Sequence, residues 1–173
     1  DVSYDTPVIP GTGLCPSSRG SQSWADPAHP SAVAPGKRPR LTPNPALAIR
    51  AGEFVMPFGT PGGDMQCQAM LQVLINILVF DMNPQAAVEA PRFGTYSFPN
   101  SFAPHDVYPG RVNLEGRIAQ ATEAALTARG HDVWMWPEWS QLAGAVCVIY
   151  QDLERGTLAG GADPRLPAMA AGR

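Results

Sequence analysis

The chain has 173 residues, of which 45% are hydrophobic and 16% charged, and its net charge at pH 7 is −3. This length and composition suit one folded domain with a sizeable core and exclude an intrinsically disordered chain. The sequence has no strongly basic segment, so we expect no nucleic-acid binding. The longest apolar stretch, residues 69–80, is too short and too polar to span a bilayer, so we expect no membrane insertion.

The first 45 residues are rich in Pro, Gly and Ser, and only residues 6–9 (TPVI) resemble a short strand. We predict that this irregular region, residues 1–45, lines a substrate site, and a flexible linker is the alternative that the composition leaves open. The segment DVSYDTPVIPGTG lacks an initiator Met and a signal peptide. We therefore expect the chain to be a subunit or fragment of a longer precursor.

The remainder, residues 46–173, is predicted to form the core. Residues 46–50 and 53–59 flank an Ala-Gly pair, which predicts a hairpin. The apolar pattern from residue 65 to residue 80 predicts a central helix whose first N–H groups are capped by Asp64. Residues 81–93 predict a short helix that begins near Pro84 and ends before Pro91.

The second half of the core alternates between the two kinds of element. Residues 110–116 resemble a strand and a turn, and residues 117–130 an amphipathic helix. The apolar side of that helix would consist of Ile118, Ala121, Ala125 and Leu126. Residues 131–136, 144–152 and 156–163 are predicted strands. The grouping of helices and of consecutive strands predicts a layered α/β or α+β sandwich rather than a doubly wound fold.

The segment FGTPGGD, residues 58–64, places Pro61, Gly62 and Gly63 between a predicted strand and a predicted helix. Consecutive backbone N–H groups at such a turn can form an oxyanion hole or another anion site. The segment is neither a P-loop nor a dinucleotide fingerprint. A tight turn that lets the helix pack closely is the alternative explanation for the same residues.

Five segments resemble, in this order, the small subunit of the γ-glutamyltranspeptidase family: APGKRP (34–39), FGTPGGD (58–64), NPQAAVEAPRF (83–93), ALTARGHDV (125–133) and GGADPR (160–165). The resemblance implies an N-terminal-nucleophile hydrolase fold, an α+β four-layer αββα sandwich, present here as an incomplete small-subunit portion. It also implies a precursor that cleaves itself, exposing an N-terminal threonine whose α-amine serves as its base. The oxyanion donors that match the family are the N–H groups of Gly62 and Gly63.

The nucleophile itself is not matched, because residue 1 is Asp. The resemblance places Asp1 downstream of the expected subunit start, so we expect the threonine to lie upstream of this chain. The implied partners are the large subunit of the same precursor, the missing threonine-bearing segment, and a small-molecule γ-glutamyl or related amide. This chain alone should be inactive.

The residues that match the family's substrate site also differ from the family pattern. Arg19 and Gln22 stand where the family has a Gln and an Asp that hold the substrate α-amine, and Thr42 follows Leu41 where the family has two serines. Gln22 cannot form the charge-assisted bond of an acid to an ammonium, and Arg19 favours a carboxylate. A solvated loop charge is the alternative for Arg19.

We therefore predict γ-glutamyltransferase- or hydrolase-like acyl transfer through a threonine acyl-enzyme, without a metal or a cofactor. The alternatives are a cephalosporin- or glutaryl-type acylase of the same fold and a degenerate, non-catalytic structural partner. Arg92 and Arg165 are expected to stabilise the fold by pairing with carboxylates rather than to touch substrate. The compartment stays open between periplasmic or secreted and cytoplasmic.

Overall fold

The computed structural model describes residues 6–172. These residues divide into two compact units. Unit 1 comprises residues 6–43 with Pro99–Val107, and unit 2 comprises Asn44–Phe98 with residues 108–172. The sequence predicts a substrate-lining region at residues 1–45 and a sandwich core at residues 46–173. This division rests partly on a functional role of the first region, so it stays a prediction.

Unit 2 carries every α-helix and every strand assigned within residues 6–172. In chain order these are β1 (Ala46–Arg50), β2 (Phe54–Gly59), α1 (Met65–Leu78), α2 (Pro84–Glu89), β3 (Phe93–Thr95), β4 (Arg111–Glu115), α3 (Gln120–Ala128), β5 (Asp132–Trp136), β6 (Cys147–Asp152) and β7 (Thr157–Gly161).

The predicted hairpin of β1 and β2 is confirmed. The two strands are antiparallel, with Arg50 opposite Phe54. The turn between them includes Gly52, whose φ of 80° is a conformation that glycine adopts without strain. β2 then pairs with β6, and β6 pairs with β7, so that these four strands form one antiparallel sheet in the order β1-β2-β6-β7.

One face of this four-stranded sheet carries the core, because alternate side chains of a strand point to opposite faces. Phe54 and Met56 of β2 and Val148 of β6 are buried on this face. They belong to one cluster with Ala69, Met70, Val73 and Ile77 of α1 and Ala87 and Val88 of α2. The helices therefore cover one side of the sheet.

The opposite side of the same sheet, here called the outer face, is apolar and exposed. Leu47 and Ile49 of β1 are 59% and 61% exposed, and Ile149 of β6 and Leu158 of β7 are 51% and 72% exposed. An antiparallel sheet with one solvated face normally carries polar residues there. The outer face departs from that pattern.

Helix α1 has the predicted position, but its two ends differ in detail from the prediction. Asp64 occupies the position before the helix, yet its side chain makes no capping hydrogen bond. Its φ and ψ of −70° and −12° are helical, whereas a capping Asp normally adopts the extended region. At the other end the helix stops at Leu78, because the N–H groups of Val79 and Phe80 both donate to the carbonyl of Ile75.

Helix α2 forms as predicted. Pro84 is in its first turn, and the side chain of Asn83 accepts a hydrogen bond from the N–H of Ala86 at 2.9 Å. The helix ends at Glu89, before Pro91. Both termini of this helix are therefore determined by residues close to them in the sequence.

A second sheet of unit 2 has the order β3-β4-β5, with β3 antiparallel and β5 parallel to β4. Helix α3 connects β4 to β5, as a parallel pair requires. The apolar side predicted for α3 does not form a buried face. No residue of α3 is buried, and Ile118 lies before the first residue of the helix. The alanine side chains of α3 are small and cover little of the sheet β3-β4-β5. The sequence therefore predicted that this segment is a helix, but not how little of the helix is buried.

Unit 1 has no strand within residues 6–43 beyond an isolated bridge between Trp24 and Ala32. The strand predicted at residues 6–9 is therefore wrong. The N–H of Ile9 donates to the carbonyl of Leu14 at 2.8 Å, so this backbone forms a local turn instead of pairing with a distant strand. A 3-10 helix at Ser18–Gln22 is the regular element of this unit.

Candidate functional site

The glycine turn, defined as residues 60–63, connects β2 to α1. Gly62 has a φ of 130° and Gly63 a φ of 55°, conformations in which an L side chain is strained. The carbonyl of Gly62 accepts from the N–H of Met65 at 3.1 Å, and that of Gly63 accepts from Gln66 at 3.2 Å. The turn is thus continuous with the N-terminal end of α1, where the helix dipole is positive.

Gly144 lies directly against the glycine turn. A β-carbon on Gly62 would lie 3.5 Å from the Cα of Gly144. A β-carbon on Gly144 would lie 3.0 Å from the Cβ of Ala69 and 3.1 Å from Oγ1 of Thr60. Oγ1 of Thr60 also accepts a hydrogen bond from the N–H of Ala145 at 2.7 Å. Two backbone segments that are distant in sequence therefore meet at close range beside α1.

Four buried charged side chains, here called the buried charge cluster, lie in unit 2: Arg92, Glu115, Asp163 and Arg165. Arg92 Nη2 donates to Asp163 at 2.6 Å, and Arg165 Nε donates to Glu115 at 2.7 Å. Arg165 Nη1 also donates to Asp163 at 3.0 Å. Two positive charges balance two negative ones, which limits the cost of removing them from water. The prediction that Arg92 and Arg165 pair with carboxylates is confirmed.

The buried charge cluster holds the segment that contains Gly144. Nη1 of Arg92 donates to the carbonyl oxygens of Ala143 at 3.2 Å and Gly144 at 3.1 Å. A carboxylate oxygen of Asp163 accepts from the N–H of Val146 at 2.9 Å. The position of the backbone that meets the glycine turn therefore depends on these two side chains.

Glu115 is ionised within this cluster. Burial raises the pKa of its carboxyl group, but hydrogen bonds from Arg165 and from the N–H groups of Ser140 and Arg92 outweigh burial and lower that pKa below its ordinary value. Both carboxylate oxygens are engaged, Oε1 by Ser140 at 3.0 Å and Oε2 by the N–H of Arg92 at 2.8 Å. The charge is therefore a fixed part of the fold.

The three residues predicted to bind substrate lie together in unit 1. Nη1 of Arg19 donates to Oγ1 of Thr42 and to Oε1 of Gln22, the latter at 3.5 Å. Gln22 is only 1% exposed, although it lies in a segment without strands. The family resemblance assigned these three residues to one substrate site, and in the structure their side chains are neighbours. Their role in binding stays a prediction.

Gln22 also lines a cleft of about 430 Å³ in unit 1. The charged side chains along this cleft are Lys37, Arg38 and Arg40. No Asp or Glu lines it among the described residues. The cleft is therefore cationic, although the protein as a whole has a net charge of −3.

A stack of three rings braces unit 1 beside this cleft. The ring of Trp24 lies between those of His29 and His105, with ring centroids 4.0 Å apart on either side. The N–H of Trp24 donates to the carbonyl of Ser31, and the N–H of Val33 donates to the carbonyl of Trp24. Ser31 and Val33 line the cleft, so its wall is held in place by the stack.

Sequence reasoning missed Thr60 and Gly144. Gly144 was assigned to the strand predicted at 144–152, which in fact begins at Cys147. Its φ of 78° is incompatible with an extended strand. A glycine immediately before an apolar run is a signal for such a conformation, but nothing in the local sequence indicates contact with residue 62.

No helix in the described part of the chain is both long enough and apolar enough to cross a membrane. Within the same part, no group of three or more His, Cys, Asp or Glu side chains is arranged to hold a metal ion.

Comparison with known proteins places these features in a family. The family described as Gamma-glutamyltranspeptidase matches residues 8–172. The chain is 34% identical over 167 residues to the oxamate amidohydrolase proenzyme of Klebsiella pneumoniae, covering 95% of this chain and 30% of that protein. It is 32% identical over 161 residues to the glutathione hydrolase-like YwrD proenzyme of Bacillus subtilis, covering 93% of this chain and 29% of that protein.

A solved structure agrees with these relatives. The cephalosporin acylase from Bacillus halodurans superimposes with a TM-score of 0.69 at 32% identity, covering 90% of this chain and 27% of that one. The chain thus spans about 30% of the length of the curated relatives that it matches. Its α+β fold is that of the N-terminal-nucleophile hydrolases, as predicted. The chain belongs to the γ-glutamyltranspeptidase family, and the relatives that it matches are named as an oxamate amidohydrolase, a glutathione hydrolase-like protein and acylases.

Proposed function

We propose that this chain is the portion of an acyl-transferring amidase that supplies the oxyanion donors and the acyl-binding residues. A threonine outside the chain attacks the substrate amide carbonyl through its hydroxyl oxygen. Its α-amine accepts the hydroxyl proton and passes a proton to the leaving amine. The resulting acyl-enzyme ester is then attacked by water or by an acceptor amine, which regenerates the threonine.

The glycine turn carries this proposal. The attack turns the carbonyl oxygen into an oxyanion, and backbone N–H groups at a helix N-terminus are suited to stabilise it. Gly62 and Gly63 bring the backbone close because they have no side chains, and Gly144 supports the turn from the other side. The same two glycines match the oxyanion-hole positions implied by the family resemblance.

The proposed partner is the remainder of a longer precursor, including the large subunit. Two of the relatives are named proenzymes, and each is more than three times as long as the matched part. The exposed apolar outer face is a surface that such a remainder would cover. A sandwich of two sheets buries this kind of face against a second sheet.

The acyl group is the point on which the relatives differ. One is named a glutathione hydrolase-like proenzyme, and others are named acylases or an oxamate amidohydrolase. Oxamate is an amide that carries a carboxylate next to the scissile carbonyl. The complete protein should therefore be assayed with γ-glutamyl and glutaryl anilides side by side.

The oxyanion role is tested by replacing the amide between Gly62 and Gly63 with an ester, through semisynthesis of the complete protein. The ester removes one N–H without adding a side chain. We expect kcat and kcat/KM to fall together by about 10²–10³, because the lost interaction exists only in the transition state.

The control is the same amide-to-ester replacement at Gly156. That residue also has a positive φ (65°), but it lies in an open turn, where nothing lies within 4 Å of an added β-carbon. It should leave kcat unchanged. A kcat within about threefold of the parent in a folded Gly63 ester would reject the assignment. A complete parent protein that turns over neither anilide would favour the non-catalytic alternative.

A further inference from the structure

We infer that Gln68 and Gln72 of α1 are positioning residues for the proposed reaction. They hold α1 at one place along the edge of β3, and the glycine turn at the N-terminal end of α1 is held in place with it. The hydrogen bonds belong to the structure of unit 2, whereas their consequence for catalysis rests on the proposed function.

The side-chain amides of Gln68 and Gln72 both pair with the backbone of β3. Oε1 of Gln68 accepts from the N–H of Thr95 at 2.8 Å, and its Nε2 donates to the carbonyl of Thr95 at 3.2 Å. Oε1 of Gln72 accepts from the N–H of Phe93 at 3.1 Å, and its Nε2 donates to the carbonyl of Phe93 at 2.9 Å. Each glutamine exchanges two hydrogen bonds with one residue, as a residue of a neighbouring antiparallel strand would. These four bonds are here called the glutamine ladder.

The spacing of the two glutamines matches the spacing of their partners. Four positions on a helix separate Gln68 from Gln72 by about 6 Å along the axis. Two positions on an antiparallel strand separate Phe93 from Thr95 by about 6.8 Å. The helix can therefore run along β3 and bind both residues. Because β4 pairs with the other edge of β3, the ladder occupies an edge that no strand of the described chain pairs with.

Gly94, between the two partners, brings the start of α1 against the same strand. A β-carbon on Gly94 would lie 2.6 Å from Sδ of Met65 and 3.1 Å from Cη2 of Trp136. Met65 is the first residue of α1 and follows the glycine turn by two positions. The missing side chain at Gly94 therefore lets β3 contact the end of the helix at which the proposed oxyanion donors lie.

The glutamine ladder supplies what the apolar contacts of α1 cannot supply. Hydrophobic burial is non-directional, so it holds the helix on the core without fixing its position along the axis. Hydrogen bonds weaken steeply when their geometry is distorted. A shift of α1 by one residue would move Gln68 by about 1.5 Å along the axis and turn it away from Thr95. A misplacement of about 1 Å at an active site can cost about 100-fold in rate, so the register of α1 matters for the glycine turn.

The kinetic test is Gln68→Met in the complete protein, which removes both bonds to Thr95 and keeps the length of the side chain. We expect kcat to fall about 10- to 100-fold while KM stays within about threefold, because oxyanion stabilisation exists only in the transition state. Gln72→Met should act in the same direction. Steady-state kinetics with the better of the two anilides, below the unfolding temperature of each variant, gives both constants.

Gln120→Met is the matched control, because Gln120 is exposed at the start of α3. It should keep the kcat of the parent. A folded Gln68→Met variant with the parental kcat would overturn the inference. The same result together with aggregation would mean that the ladder serves only to block an open sheet edge.

Gln68→Glu is a conservative variant whose hydrogen bonding changes with pH. A protonated carboxyl group has a donor and an acceptor, as the amide has, so it can restore both bonds to Thr95. An ionised carboxylate has only acceptors and would face the carbonyl of Thr95 without a proton to share. The ratio of the variant kcat to the parent kcat should therefore rise as the pH falls and the introduced carboxyl is protonated. A ratio that does not change with pH would contradict the positioning role.

Amide hydrogen exchange tests the ladder without any assay of activity. In Gln68→Met the N–H of Thr95 has lost its acceptor, so it should exchange about tenfold or more faster than in the parent. Exchange as slow as in the parent would reject the ladder itself.

The outcomes separate this inference from the proposed function. Suppose that the Gly63 ester lowers kcat, while Gln68→Met exchanges faster at Thr95 but keeps its kcat. This result would uphold the oxyanion hole and reject the positioning role. A Gly63 ester without effect, combined with a low kcat in Gln68→Met, would reject the oxyanion hole and uphold the ladder as a determinant of catalysis.

Discussion

At the scale of single residues, the stability of unit 2 depends on the pairing of the four side chains in the buried charge cluster. Arg92 and Arg165 are 1% and 4% exposed, and Glu115 and Asp163 are fully buried. Removing one member leaves an opposite charge buried without its partner, which typically costs about 3–5 kcal/mol. All four side chains are therefore needed for the cluster to be buried without a large loss of stability.

Glu115 makes this dependence measurable through pH. Glu115→Gln should lower the free energy of unfolding at pH 7 by about 3 kcal/mol. Because the pKa of Glu115 is depressed in the folded state, its contribution to stability is fully present above the ordinary pKa of a glutamate side chain. It is lost as the pH falls through the lower pKa of the folded state. The gap between parent and variant should therefore narrow in acid.

Urea unfolding of both proteins between pH 7 and pH 3 checks this. Glu154→Gln is the control, since Glu154 is exposed in the turn between β6 and β7. It should follow the parent within about 0.5 kcal/mol throughout. A constant gap between the parent and the Glu115 variant at every pH would show that Glu115 does not titrate as a member of the cluster.

At the scale of elements, the glycine turn depends on how α1 and the segment before β6 are packed. Gly144 lies so close to Ala69 of α1 and Thr60 of the turn that a β-carbon on it would crowd both, and Arg92 donates to the carbonyl of Gly144. The N–H of Ala145 also donates to Oγ1 of Thr60 at 2.7 Å, which ties the turn to the segment before β6. The geometry proposed for catalysis is therefore set by contacts that are distant in sequence.

Gly144→Ala tests this support. Its β-carbon would lie 3.0–3.1 Å from Ala69 and Thr60, so either the turn or α1 must shift. We expect kcat of the complete protein to fall about tenfold or more, since small displacements of an active site are costly. Steady-state kinetics and thermal unfolding of the same samples give the two readouts.

Gly156→Ala is a close control. Gly156 has a φ of 65°, similar to the 78° of Gly144, but nothing lies within 4 Å of the added carbon. Both substitutions carry the strain of an alanine at positive φ, about 1–2 kcal/mol. Only Gly144→Ala should lower kcat, and an equal loss in both variants would contradict a role for the contact.

The elements that the sequence predicted correctly are those with local causes. The turn at Gly52 and the cap at Asn83 act within a few residues, so β1, β2 and α2 follow from them. Residues 6–9 have strand propensity but no strand to pair with in the described chain, and propensity alone does not make a strand.

The candidate site was predictable in part for the same reason. The glycine turn was recognisable from its own letters and from the resemblance, whereas Arg19, Gln22 and Thr42 were singled out by the resemblance alone. The functional roles of all these residues stay predictions. Gly144 was not, because a contact between residues 62 and 144 leaves no local mark in the sequence. The partners of Arg92 were predictable as carboxylates, but Asp163 could not be singled out, since acidic residues occur throughout the chain.

At the scale of the whole molecule, the outer face shows that the described chain leaves apolar surface uncovered. Its strands alternate correctly, with one set of side chains in the core and the other exposed. The exposed set is nevertheless apolar at Leu47, Ile49, Ile149 and Leu158. Contiguous apolar surface of this kind marks a site of association.

Ile149→Glu tests whether the remainder of the precursor covers this face. In the complete protein the carboxylate would be buried without a partner, and we expect the free energy of unfolding to fall by about 2 kcal/mol or more. Leu153→Glu is the control, because Leu153 is exposed in the turn after β6, beyond the last residue of β6 that pairs with β7. Equal and small effects of both substitutions in denaturant unfolding would mean that the outer face stays in water.

The buried charge cluster also has a consequence for how the chain acquires its fold during synthesis. Arg92 and Asp163 are separated by 71 positions, and Glu115 and Arg165 by 50. A nascent chain that has not yet reached residue 163 cannot bury Arg92 without leaving its charge unpaired. Unit 2 therefore has to close late, and ribosomal products that stop short of residues 163–165 would remain open and recognisable to proteases, which makes the cluster a check on completeness.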